Sequence, residues 1–200
     1  MKTTTYFPTL KEVKIAAHLL KDIVLETPLM VNLNASKEHG ANIYLKREDL
    51  QNVRSYKIRG AFNKISSLTK GELAKGVVCA SAGNHAQGFA FSCKYKKIKG
   101  VIFMPLPTPQ QKVEQVKMFG EEFVEIELVG DTFDDAQLAA KEFCANNQMT
   151  FIPPFDDEKI IEGQATVGLE ILAQSKTPID YLFLPVGGGG LAAGVSSVFK

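Results

Sequence analysis

Two hundred residues with 23 Lys and Arg against 22 Asp and Glu carry a net charge of +1, and 45% of the positions are hydrophobic. A chain of this length allows one or two domains and can bury roughly 70% of its unfolded surface. The interspersed charge leaves neither a nucleic-acid stripe nor a membrane-surface patch, and no apolar run is long enough to span a bilayer.

The chain opens on a polar stretch from Met1 and then a helix whose N-cap Thr9 and Glu12 form a capping box, followed by Leu10, Val13, Ala17 and Leu20 at helical spacing. With no leader peptide evident, this opening points to a cytoplasmic location. After the short strand Ile43-Tyr44-Leu45 comes Ser55-Tyr56-Lys57-Ile58-Arg59-Gly60-Ala61, where Ser55 is the expected N-cap and Ile58, Ala61, Phe62, Ile65 and Leu68 repeat helically. Lys57 therefore falls in a first helical turn, where the free N–H groups disfavour an ammonium. Arg59 adds like charge, and both effects are expected to lower the Lys57 pKa. A solvated lysine at an imperfect helix start has the same local sequence.

The apolar run Val77-Val78-Cys79-Ala80 reads as a strand. It passes through Ser81-Ala82-Gly83-Asn84-His85 into a helix bearing Ala86, Phe89, Ala90 and Cys93. A tight turn at a helix start presents backbone N–H groups to an anion, and Asn84 adds an amide donor, although Ser81 and Asn84 could equally be helix caps. Next come a strand Val101–Met104 and a helix expected to begin at Thr108-Pro109, with Gln111 closing a capping box and Gly120 ending it. Val124, Ile126 and Leu128 alternate with Glu125 and Glu127, the pattern of a sheet-edge strand. A helix after Thr132 leads to Phe151-Ile152 and a Pro153-Pro154 break.

The last segment runs from the strand-like Tyr181-Leu182-Phe183-Leu184 through Gly187-Gly188-Gly189-Gly190 into a helix with Leu191, Val195, Val198 and Phe199. Four glycines remove every Cβ, so consecutive N–H groups can close on a phosphate; a flexible linker is the alternative. Strands alternating with helices make the fold α/β with mostly parallel pairing, and ligands in such sheets gather at strand carboxyl ends, where Ser81 and Gly187 fall. Cys79, Cys93 and Cys144 sit in apolar stretches and read as buried thiols rather than disulfides or metal ligands; no metal site is expected. His18 and His39, without carboxylate partners, read as surface residues.

In this order the three segments resemble the fold type II pyridoxal phosphate enzymes, with a two-domain, tryptophan synthase β-like fold, and within them the threonine dehydratase family. The resemblance extends through Lys46–Gln51, Gly130–Asp134 and Glu162–Thr166. It implies that Lys57 carries pyridoxal 5'-phosphate as a Schiff base and acts as the catalytic base. Tyr56 stands where phenylalanine is usual beside the ring, Asn84 contacts the ring oxygen, and Gly187, Gly188, Gly189, Gly190 and Leu191 hold the phosphate. Ser81, Ala82, Gly83, Asn84 and His85 would take the substrate carboxylate. Implied activity is the dehydration and deamination of L-threonine to 2-oxobutanoate and ammonia in isoleucine biosynthesis, with serine as a secondary substrate and a homo-oligomer as the working form. Ala82 stands where serine racemases have a serine. Serine racemisation, serine dehydration and a non-catalytic phosphate-binding module are the competing readings. The resemblance also implies a small domain over residues 53–154, with residues 1–52 and 155–200 contributing to a large domain. That family's catalytic unit is longer, so its pyridine-nitrogen partner and any metal ligands would fall beyond residue 200.

Overall fold

The computed structural model describes residues 6–200; the polar opening at Met1 lies outside the described residues. In chain order the elements are α1 (Leu10–Leu20), β1 (Leu29–Val31), α2 (Leu33–His39), β2 (Tyr44–Lys46), α3 (Lys57–Ser66), α4 (Lys70–Lys75), β3 (Val77–Ala80) and α5 (Asn84–Lys96). There follow β4 (Gly100–Met104), α6 (Gln110–Gly120), β5 (Val124–Leu128), α7 (Phe133–Asn147), β6 (Thr150–Phe151), α8 (Glu158–Gln174) and α9 (Gly190–Val198).

The main sheet has the order β5-β4-β3-β6 and is parallel throughout, as the alternation of strands and helices predicts. Its side chains divide with the strand period of two. Val77, Cys79, Ile102 and Met104 face a core closed by Ile65, Phe89 and Val116 from α3, α5 and α6. Val78, Ala80, Val101 and Phe103 face Ala136, Ala140 and Cys144 of α7. Both central strands are buried on both faces, and β5 is the half-exposed edge strand expected from its alternating glutamates. All three cysteines are buried free thiols. β1 and β2 form a separate antiparallel pair.

α8 packs against both α3 and α9, and glycines permit the approach. A Cβ on Gly163 would meet the Arg59 carbonyl at 2.5 Å, and one on Gly194 the Ile161 carbonyl at 2.6 Å. A buried ion cluster adds direction to this packing. The Arg59 guanidinium is fully buried and donates to Glu48 Oε1 at 2.8 Å, Glu170 Oε1 at 2.5 Å and Thr166 Oγ1 at 3.1 Å, tying α3 to α8 and to the loop after β2. Fully satisfied forks of this kind fix a helix in one orientation, because breaking one partner leaves a buried charge.

Three local expectations are corrected. The N-cap of α3 is Tyr56, in helical conformation and without a side-chain cap bond, while Ser55 Oγ is buried with no partner. α6 has Pro109 as its N-cap without a side-chain bond, and Thr108 Oγ1 donates instead to the Pro105 carbonyl at 2.7 Å. Residues 181–184 pair with no strand among the described residues, and Tyr181 and Phe183 are 82% and 90% exposed. Their apolar alternation meets the local requirement for a strand but has no neighbour to bond.

Candidate active site

Lys57 is the first residue of α3, and its Nζ donates to the Pro154 carbonyl at 2.6 Å, with the Tyr56 ring centroid 5.7 Å from the same nitrogen. Burial lowers the Lys57 pKa, since desolvation penalises the ammonium. The lowering is as expected, but its cause is not: Arg59 is neutralised by Glu48 and Glu170 on another side of the helix.

A cavity of about 180 Å³ is lined by Tyr56, Lys57, Pro154, Phe155, Gln164, Pro185, the four glycines 187–190 and Leu191. The lysine and the tetraglycine turn, 130 residues apart by number, thus share one space. Gly189 is in the left-handed region at φ +87° and Gly190 begins α9, so the chain turns there with successive N–H groups at a helix N-terminus. A Cβ on Gly188 would strike the Phe155 ring, and one on Gly190 would meet the Phe155 carbonyl at 2.8 Å. Glycine is required there by close approach.

Asn84 begins α5 and is exposed; it is not among the residues lining the cavity. Gly88, one turn further on, lies against the lysine segment, and a Cβ there would meet Ile58 N at 2.9 Å and the Lys57 carbonyl carbon at 3.0 Å. The α5 start is therefore held beside the start of α3. Ser81 continues β3 by donating its N–H to the Phe103 carbonyl at 3.0 Å, and its Oγ accepts from Gly83 N at 3.2 Å, leaving Ala82 partly buried against the core. His85 points away from solvent. Its Nε2 lies 3.0 Å from the Ile152 carbonyl, its Nδ1 is buried without a partner, and burial, with the nearby Lys57 charge, pushes its pKa down to about 4. At neutral pH the ring is uncharged and Nε2 is the donor.

Two features escaped sequence reasoning. Residues 152–155 form a strap: Ile152 is gripped by His85, Pro154 holds the lysine amine and Phe155 lies under the glycine turn. From sequence Pro153-Pro154 signals only a break. Gln164 also enters the cavity lining from the middle of α8; the Glu162–Thr166 stretch that contains it carries the resemblance, but nothing local marks this side chain as a cavity residue. No group of three or more metal-ligating side chains occurs among the described residues, and no helix there is long and apolar enough to cross a membrane.

Comparison with known proteins agrees with this geometry. The chain is 57% identical over 191 residues to the L-threonine dehydratase biosynthetic IlvA of Halalkalibacterium halodurans, covering 96% of this chain and 46% of the relative. It is 52% identical over 190 residues to the protein of the same name in Bacillus subtilis, covering 95% and 45%. The chain thus spans about half the length of these relatives. Among solved structures it superposes on the processed form of threonine deaminase isoform 2 from Solanum lycopersicum with a TM-score of 0.88 at 43% identity, covering 97% of this chain and 57% of that one. Serine racemase from Dictyostelium discoideum gives 0.87 at 33% identity, covering 96% and 61%. Residues 20–200 match the family model described as pyridoxal-phosphate dependent enzyme. With its lysine and its glycine-rich helix start facing one cavity, and with these likenesses, the chain belongs to the pyridoxal-phosphate dependent enzyme family.

Proposed function

We propose that this chain forms the lysine-bearing part of an L-threonine ammonia-lyase, which converts threonine to 2-oxobutanoate and ammonia within isoleucine biosynthesis and takes serine as a secondary substrate. One observation carries the reading: an amine with a lowered pKa and a Cβ-free helix start line the same cavity. The likeness to relatives named biosynthetic threonine dehydratase supports threonine as the substrate.

The residues fit pyridoxal phosphate. The cradle from Gly187 to Gly190 admits a phosphate to backbone N–H groups, and Lys57 puts an amine that can condense with an aldehyde into the same lining. When bound, the cofactor supplies an electron sink for a substrate carbanion. Lys57 is then the base that takes the Cα proton; burial lowers its pKa by penalising the ammonium, and the Pro154 carbonyl receives one N–H so that the amine is oriented. In the turn from Ser81 to His85 the Ser81 and Gly83 N–H groups are spent on the Phe103 carbonyl and Ser81 Oγ, so the backbone N–H groups of Ala82, Asn84 and His85 take the substrate carboxylate, and the Asn84 amide is a donor to the ring oxygen. Tyr56 and Leu191 pack as the walls of the pocket. Ala82 offers no hydroxyl to return a proton from the opposite face, which favours elimination over racemisation.

The same reading assigns residues 53–154 to a small domain and residues 1–52 with 155–200 to part of a large one. It places the protein in the cytoplasm as a homo-oligomer. Keto-acid release from threonine and from serine, with the chirality of residual serine, tests the assignment on the protein carrying this chain. Faster 2-oxobutanoate release than pyruvate release, with serine left as the L isomer, is expected; accumulation of D-serine without keto acid would overturn it in favour of a racemase.

A further inference from the structure

Gln164 is 1% exposed, yet it lines the cavity with Lys57 and the glycine turn. Its Oε1 accepts the Gly60 N–H at 3.3 Å, and this bond decides which end of the amide is which. The other end, Nε2, has two N–H donors and no acceptor among the described residues. It is not sealed in either: among the described residues the buried polar side-chain atoms that lack both a partner and solvent access are Ser55 Oγ, Ser66 Oγ and His85 Nδ1. What remains open to Nε2 is the cavity. Gly60 keeps it there, because a Cβ at that position would strike Nε2. Gly60 lies three residues after Lys57 on α3, so the amide sits beside the helix face that carries the lysine.

A buried amide with unspent donors is costly unless a ligand supplies the acceptor. The lining limits what that acceptor is. Apart from the Tyr56 hydroxyl, Lys57 and Gln164 are the side-chain donors in it; Pro154, Phe155, Pro185, Leu191 and the glycines contribute backbone or apolar surface. In the function proposed above, Lys57 is committed to the aldehyde end of the cofactor. A phosphate has three outer oxygens with more acceptor sites than one helix start can fill, and a neutral amide donor completes its shell without adding charge.

Resting on that reading, we propose that Gln164 is a phosphate-binding residue, its Nε2 donating to an oxygen of the cofactor phosphate held by Gly187–Gly190. The test is Gln164→Glu, which keeps the shape and the acceptor for Gly60 N–H but replaces the donor by a carboxylate. Both proteins are titrated with pyridoxal phosphate and with pyridoxal, following the visible absorbance of the lysine adduct, with a thermal melt to verify the fold. Expected is a loss of roughly tenfold or more in affinity for pyridoxal phosphate, the scale of a hydrogen bond to a charged group, with pyridoxal affinity unchanged. Equal weakening for both ligands would move Gln164 to the ring end and overturn the proposal; so would unchanged binding of both. Absence of any adduct in the unsubstituted protein would refute the Lys57 reading itself and the phosphate role with it, a result distinct from either.

Discussion

His85 gives the fold an acid-labile joint whose size follows from its burial. Its pKa falls from 6.5 to about 4 in the folded chain, first through desolvation, and the Ile152 bond opposes this only in part. Between these values the unfolded chain binds a proton that the folded chain does not, so stability rises with pH there and is lost on acidification from about 6.5 to about 4. At ~1.36 kcal/mol per tenfold change in proton affinity the drop is worth about 3 kcal/mol. With a urea dependence of about 2–3 kcal/mol per molar, the midpoint should move down by on the order of 1 M. The comparison is with His85→Gln, whose amide can still donate to the Ile152 carbonyl but does not titrate. Urea melts of both proteins at pH 7, 5.5 and 4 should show the parent losing about 3 kcal/mol more than the variant. Equal losses, or a His85 ring titrating near its ordinary value by NMR, would show that burial does not hold this imidazole neutral.

Three further outcomes are expected. Arg59→Met leaves Glu48 and Glu170 facing a vacated buried site and should cost about 3–5 kcal/mol in urea melts, with Arg59→Lys recovering little because one ammonium cannot serve both carboxylates. Gly88→Val pushes a side chain into the backbone at Lys57 and Ile58; a destabilisation of roughly 1–3 kcal/mol should accompany weaker cofactor binding, and an unchanged cofactor titration would contradict the contact. Gly189→Ala has open space and should cost only the left-handed backbone, about 1–2 kcal/mol, whereas Gly188→Ala displaces the Phe155 ring and should weaken cofactor binding more than its neighbour does.

Much of the fold is legible where the signal is local. The Thr9 and Thr132 caps, the alternating edge strand at Val124–Leu128 and the turn between Val77–Ala80 and α5 each depend on neighbours within a few residues. α8 is less legible for a physical reason. Residues 160–168 are buried without interruption, so the helix has no apolar stripe to reveal its period. The Lys57 environment divides in the same way. Its helix position follows from spacing, but the depression of its pKa comes from burial and its amine is bonded to a carbonyl 97 residues away, while Arg59 finds partners 11 and 111 residues away. Residues 181–184 show the converse: a strand pattern is satisfied only when another edge lies alongside.

The proposed function stands or falls on Lys57 being the residue that bonds pyridoxal phosphate. Incubation of the protein with the cofactor, borohydride reduction, proteolysis and peptide mass measurement tests it directly. A pyridoxyl mass on the peptide carrying Lys57, and its loss in Lys57→Ala, is expected. Label on other lysines with Lys57 unmodified would contradict it.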